Sequence, residues 1–547
     1  MLLEPLDLIV FIGYCCLIVG LGLFVSREKK GHVKDSKDYF LASKALPWWA
    51  VGASLIASNI SAEQFIGMSG SGFALGLAIA TYEWMAAATL LVVAIFFLPV
   101  YIKKGIYTMP GFLLDRYDAR VRTTMAVFWL LLYVLVNLTS VLYLGALSLN
   151  TILDVPMTYG IIGLALFAMI YSIYGGLKAV AWTDVVQVFF LVAGGLATTY
   201  LALNIVGDGN AWQGLGLLRQ EVPGHFSMIL DKGEMMIPDG KGGVEDAYSL
   251  LPGLSVLVGG MWIVNLSYWG FNQYITQRAL AAKDLNEAQL GVIFAGFLKL
   301  LMPLIVVIPG IAALVIVNKG GDSTFIQSMT DPVSGLIKSD RAYPTLLQLL
   351  PAGLKGLAFA ALTAAIVSSL ASMANSTSTI FTMDIYKQYI NKEASEVKQV
   401  TIGRIAAFVA FLVAALVAPA LGTLDQAFQF IQEYTGFVSP GVFAIFFFGV
   451  FWKKTTSNAA LTAAVLTIPL STVLKFGMPN LPFIDRMGVV FLVIAALIVA
   501  ISLYEGKGKD HPNSIEVNKE LFKTSMTFKI GAIVIAAIIA VLYIIFW

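Results

Sequence analysis

Five ionisable side chains stand inside long apolar stretches of this chain: Glu63, Glu83, Asp184, Lys299 and Glu433. The amides Asn59, Gln64, Asn137, Asn265, Gln429 and Gln432 join them, spread over at least seven such stretches yet gathered near half depth. Polar groups far from water are expensive, so each is a functional candidate until a partner is found for it. Together they suit a polyhydroxylated solute. A hydroxyl both donates and accepts, and a carboxylate, an ammonium and amides answer both needs. Tyr82, Tyr268, Trp269 and Phe428 add rings to cover the C–H face of a sugar. Blander readings stand beside this one. Glu83 with Lys299 also makes sense as an ion pair locking two helices. Glu63 and Glu433 adjoin Gln64 and Gln432 and are expected not to share a face with them, which favours structural hydrogen bonding. Asp184, within a turn of its helix end, either faces water or takes part in ion passage.

A second group is Ala365-Ile366-Val367-Ser368-Ser369. Adjacent hydroxyls with a few backbone carbonyls form a hard, neutral oxygen cage that suits a monovalent cation, where Ca²⁺ would call for carboxylates. A Ser-Ser pair alone is weak evidence, because such hydroxyls commonly bond back to the preceding turn.

The elements that must position these groups follow from composition. The 547 residues are 58% hydrophobic and 12% charged, against about 25% charged in soluble domains. Stretches of about 20 apolar residues recur along the chain, and in lipid they must be helices. Fourteen are predicted, near 6–26, 47–76, 77–102, 122–150, 156–175, 180–206, 251–277, 286–318, 354–386, 400–421, 424–452, 457–477, 483–504 and 526–547. The first is read as a retained helix rather than a cleaved signal, since no basic residue precedes it. The 35 Lys and Arg divide into 25 on one set of loops, nine on the other, and Lys299 within a span. The positive-inside rule puts the richer set in the cytoplasm and both chain ends outside. This topology accounts for the charge of +2, and no nucleic-acid partner is expected. Cys15 and Cys16, adjacent in the first helix, read as core filling. The three His all fall in loops, which leaves carboxylates as the proton candidates.

The second to eleventh spans divide into two sets of five, 47–206 and 251–452, followed by three further helices in 457–547. An odd number per set inverts the second. Each set opens on a helix with a polar, glycine-punctuated middle, Ala57-Ser58-Asn59-Ile60-Ser61-Ala62-Glu63-Gln64 and Asn265-Leu266-Ser267-Tyr268-Trp269-Gly270. Paired interruptions at matching places in two halves point to a transporter's binding site. The alternative is a pair of kinked packing helices.

The run Tyr174-Gly175-Gly176-Leu177-Lys178-Ala179-Val180-Ala181-Trp182-Thr183-Asp184-Val185-Val186-Gln187 resembles the signature of the solute:sodium symporter family, as does Gln277-Arg278-Ala279-Leu280-Ala281-Ala282-Lys283. Ile60 to Gly72 and Gln429 to Gly436 are similar to the family's bacterial galactose carrier, and the likeness runs nearly end to end. It implies an all-α membrane protein of about fourteen spans with a LeuT-type core of two inverted five-helix repeats. It implies a sugar held by Gln64, Glu83, Asn137, Asn265, Lys299 and Gln432. Tyr268 would be the inner gate, and Met68, Tyr82 and Phe428 the outer one. Sodium, the co-transported ion, would sit among Ala57, Ile60, Ala365, Ser368 and Ser369, with Asp184 on its exit route. Two positions depart: Ala86 stands where the galactose carrier has a Ser on the sugar, and Ser267 where it has a second Tyr.

The expected activity is sodium-coupled symport of a galactose- or glucose-like hexose into a bacterial cell across its inner membrane, by alternating access. A sodium- or proton-coupled carrier of another polar solute such as a polyol, with Glu83 or Asp184 titrating, stays open, as does a membrane sensor that binds solute without moving it. An enzyme is not expected, since no nucleophile–base arrangement or nucleotide-binding loop is present.

Overall fold

A computed structural model describes residues 4–25, 40–238, 243–320, 323–332, 334–423 and 427–547, the side chains of 171–176, 422 and 423 excepted. The basic loop 27–38 and part of the signature around Tyr174 therefore lie outside the described residues. Helices make up nearly all of the rest. One antiparallel hairpin pairs Met236–Pro238 with Val244–Asp246 in the loop that follows the sixth predicted span.

Among the described residues, ten helices are long and apolar enough to cross a bilayer, or twelve if each of two bent pairs is one span. Length and composition thus support ten to twelve crossings among the described residues and do not by themselves confirm the expected fourteen. The difference has three sources. Trp48–Asn59 is a half-length helix of 12 residues. Glu63–Lys104 forms one long helical run, although it turns at Gly76, whose φ of +70° is a conformation only glycine takes easily. Met157–Val206 is helical for 50 residues where two spans were expected.

The first interruption falls where the sequence put it. Helix Trp48–Asn59 ends at Ile60, which is extended (φ −79°, ψ 106°). It restarts as a widened turn, Glu63–Met68, that runs into Ser69–Leu75. Ser61-Ala62-Glu63-Gln64 forms a capping box at the restart. The Ser61 hydroxyl accepts from the Glu63 N–H at 3.1 Å, and the Gln64 side-chain oxygen accepts from the Ser61 N–H at 3.0 Å.

The second interruption is displaced from its expected place. Asn265 to Gly270 are helical, within Gly260–Phe271, and the break is at Asn272 (φ −80°, ψ 125°). The physical reason is capping. Asn272 accepts from the Tyr274 N–H at 3.3 Å and from the Tyr133 hydroxyl at 2.5 Å, and the freed Gln273 N–H donates to Tyr133 at 2.9 Å. An Asn N-cap opens helix Gln273–Leu280, whereas Asn265 and Ser267 spend their side chains on the carbonyls of Met261 and Ser439. A further bend of 79° separates Ala247–Val258 from Gly260–Phe271.

Packing is centred on Leu354–Ile390, whose apolar window is 94% buried, while the windows of Pro5–Val25 and Met526–Ile545 are only 17% and 11% buried. The former is a core strut and the latter two are lipid-facing flanks. Large apolar side chains such as Phe24, Phe189, Leu492 and Ile544 face outward, as a hydrocarbon surround demands. Both chain ends meet loops predicted on one face. Asp7 accepts from the N–H groups of Gly353 and Gly356 at 2.7 and 2.8 Å, and the Met228 N–H donates to the Phe546 carbonyl at 2.7 Å.

Candidate functional site

A small cavity between the two broken helices is lined by Asn59, Glu63, Gln64, Tyr82, Glu83, Ala86, Val264, Asn265, Tyr268, Trp269, Lys299, Phe428 and Gln432. Five of the six residues expected to hold the solute are there: Gln64, Glu83, Asn265, Lys299 and Gln432. Asn137 is buried in the widened turn Leu132–Leu138, and Met68 is fully buried, but neither lines the cavity. Asn59 and Trp269 do, and both were visible among the polar and aromatic residues at half depth. Glu63 and Gln64 line it together, against the expectation that neighbours cannot share a face. That expectation assumed a regular helix, and these two residues open a widened turn just past a break. Glu433 behaves as expected, held by Arg486 at 2.5 Å and Lys475 at 3.2 Å.

At the centre, the Lys299 ammonium donates to Glu83 at 2.5 Å and to the Asn59 side-chain oxygen, and stands 5.0 Å above the Trp269 ring. Lys299 and Glu83 are both buried. An isolated charge at this depth is untenable, so the pair, the amide and the ring face are what permit it. The structural and the solute-binding readings of this pair meet in one place, because the pair also lines the cavity.

Two aromatic contacts close the cavity. On one side Tyr82 and Phe428 meet edge to face, centroids 5.1 Å apart. Gly67 permits this, since a Cβ there would lie 3.0 Å from the Phe428 Cβ. On the other side the Tyr268 hydroxyl accepts from Asn59 at 2.9 Å and from the Tyr274 hydroxyl at 2.5 Å. Tyr268 therefore ties the first broken helix to both halves of the second. The enclosed volume is about 40 Å³, room for about three waters and far less than a hexose. Admitting a sugar requires one of these contacts to part. Ala86 borders the cavity, so that departure bears on the pocket. The Ser267 hydroxyl instead donates to the Ser439 carbonyl at 2.8 Å, outside it.

The cation candidates converge one turn away. The Ser369 hydroxyl lies 3.2 Å from the carbonyl of Ala57, 3.3 Å from that of Ser58 and 3.4 Å from that of Ile60. These carbonyls end a helix, lack intrahelical donors, and carry the negative end of its dipole. Ser58 adds a carbonyl the sequence did not single out. Ala365 lies one turn before Ser369 on helix Leu354–Ile380. Ser368 is turned elsewhere and donates to Asp184. Asp184 also accepts from Ser54 at 2.6 Å and is fully buried. Water exposure is thus not the reason for this carboxylate: it pins Trp48–Asn59 and Leu354–Ile380 to the long helix Met157–Val206. Below it, Arg278 donates to the Tyr274 carbonyl at 2.9 Å and to Ser372.

A larger polar cavity of about 470 Å³ lies between Gly105–Asp115 and Met383–Lys392, around the Arg122–Asp384 ion pair of 2.7 Å. It shares no residue with the site above.

Comparison with known proteins bears on the family and the fold. The model of the sodium:solute symporter family matches residues 39–467. A sodium/glucose cotransporter of Vibrio parahaemolyticus is 54% identical over 550 residues, spanning 100% of this chain and 99% of the relative. A sodium/myo-inositol cotransporter 2 of Sus scrofa is 34% identical over 489 residues, spanning 86% and 70%. The solved structure of a Na⁺-coupled sialic acid symporter, substrate-bound and outward-open, shares the fold, with a TM-score of 0.76 at 21% identity over 92% of this chain and 98% of that one. On the family model's reach and the full-length relative, the chain belongs to the sodium:solute symporter family.

Proposed function

We propose that this chain carries a glucose-like hexose into a bacterial cell across the plasma membrane, driven by sodium, with both chain ends outside. One observation carries the reading: the polar cavity and the carbonyl cluster are built on the same helix break, with Ala57, Ser58 and Ile60 on the ion side and Asn59 and Gln64 on the solute side. The naming of the 54% identical relative supports glucose. Gln64, Glu83, Asn265, Lys299 and Gln432 bind the hydroxyls, with Asn137 joining as the cavity widens. Tyr268 gates the cytoplasmic side, and Tyr82, Phe428 and Met68 the outer side. Sodium binds the carbonyls of Ala57, Ile60 and Ala365 with Ser369, and recruits Ser368 from Asp184, which then lies on the ion's way out.

In this reading the repeats 47–206 and 251–452 rock about the site. Sodium favours the outward-open form, and only through a difference in its affinity for the two forms. The test is uptake into proteoliposomes with an inward sodium gradient, offering glucose, galactose, myo-inositol and an amino acid. Glucose should accumulate with sodium and not with choline or with a pH gradient alone. Accumulation of myo-inositol in preference to hexoses would overturn the substrate, and sodium-independent uptake would overturn the coupling.

A further inference from the structure

The solute cavity contains one carboxyl group, that of Glu63, whose Oε1 no described side chain answers. Glu63 is 6% exposed and lines the cavity. Glu83, in the same cavity, is paired with Lys299 at 2.5 Å. Glu433 is gripped by Arg486 and Lys475. Glu63 carries no such ion pair among the described residues, and its Oε1 has no hydrogen-bond partner there. Its neighbours are already engaged: Asn59 with Tyr268 and Lys299, and the Gln64 oxygen with Ser61. The backbone of Glu63 is fixed as well, since its N–H donates to the Ser61 hydroxyl at 3.1 Å. A buried acceptor left unpaired is destabilising. Held in place at the wall of a binding cavity, it is an acceptor waiting for a donor from the solute.

We propose that Glu63 is a further specificity residue of the hexose site, and that its free oxygen accepts a hydrogen bond from one hydroxyl of the bound sugar. This rests on the hexose reading of the site. Glu83 and Lys299 offer their sugar contacts as a neutralised pair, so Glu63 supplies a carboxyl acceptor not already committed to an ion pair and discriminates against a sugar that lacks the donor.

The experiment is a cycle between protein and sugar. Wild type, Glu63→Gln and Glu63→Ala are reconstituted in liposomes, and kcat/KM for sodium-driven uptake is measured with glucose and each monodeoxyglucose. Glu63→Ala should lower kcat/KM for glucose about two- to tenfold, the span for a hydrogen bond between neutral groups. Glu63→Gln, which keeps a carbonyl acceptor, should lose less. One deoxy analogue should be a poor substrate for wild type and should lose nothing further in Glu63→Ala, while the other analogues lose as much as glucose does. A uniform loss across every analogue makes Glu63 structural and overturns the proposal, as does unchanged glucose uptake in Glu63→Ala. Failure of wild type to carry glucose strikes instead at the hexose reading, and the cycle is then run on the deoxy analogues of whichever solute it carries. Thermal melting of Glu63→Gln checks that the fold is intact.

Discussion

Ser369→Ala tests the ion site most directly, and its size can be worked out from the carbonyl cluster. The Ser369 hydroxyl stands 3.2, 3.3 and 3.4 Å from three carbonyl oxygens, all beyond the 2.5–3.0 Å of a good O–H···O bond. Without the ion, this proton is shared among three weak acceptors and contributes at the low end of a hydrogen bond, about 0.5 kcal/mol. With the ion, the oxygen faces a full charge, worth about 1.5–2 kcal/mol. Alanine loses both, so sodium affinity falls by the difference, about 1 to 1.5 kcal/mol, or roughly five- to twelvefold. The assay is the sodium concentration giving half-maximal sugar uptake in proteoliposomes. Reciprocity requires the sugar KM at subsaturating sodium to rise in step. Melting temperature should barely move, since so little is lost in the ion-free form. An unchanged sodium half-saturation in a well-folded Ser369→Ala protein refutes the assignment of these oxygens.

Gln64 serves two ends, and substitutions test both. Gln64→Glu keeps the oxygen that caps Ser61 but removes the amide donor and buries a second carboxyl beside Glu63, so sugar KM should rise about tenfold and stability should fall by more than the about 1 kcal/mol that Gln64→Ala loses with the cap, read by uptake and thermal melting together. Glu83→Gln and Lys299→Met singly should each destabilise by about 3–5 kcal/mol by leaving a buried charge alone. The double variant should recover most of that in melting temperature yet carry no sugar, and singles as stable as wild type would show the pair to be unimportant to folding. Asp7→Ala should cost about 1–2 kcal/mol, the range for a lost helix cap, seen as a lower melting temperature in detergent.

Much of this site was legible in the sequence because the bilayer makes polar residues conspicuous. Glu83, Lys299, Gln64 and Asn265 stand out against apolar runs, and the structure gathers them around one cavity. The position of the second break was not legible in the same way. Hydropathy marks where a helix crosses but not where its backbone opens, and opening in lipid depends on a partner from another helix, here Tyr133 on Asn272. The signal that was available is local: Asn272 is a good N-cap directly before an amphipathic turn. Glu63 was misjudged by a rule of helical geometry that fails beside a break. The count of fourteen spans is not confirmed by helix length alone, because a helix broken at half depth leaves pieces too short to qualify and two helical runs, of 42 and 50 residues, each count once.

The closeness of the two sites makes a long-range coupling pathway unnecessary. On the proposed function, residues 57 to 64 contribute carbonyls to the ion and side chains to the solute, so a cation that fixes the end of helix Trp48–Asn59 would also fix Asn59. Asn59 in turn holds the Tyr268 hydroxyl and accepts from Lys299, placing the inner gate and the central charge within one residue of the ion's ligands. When the ion leaves, those carbonyls fall back on the weakly held Ser369 proton, and the grip on Asn59 relaxes with them. Coupling here is the shared rigidity of one short, broken segment, and it is reciprocal because a sugar that orders Asn59 and Gln64 orders the same backbone the ion needs.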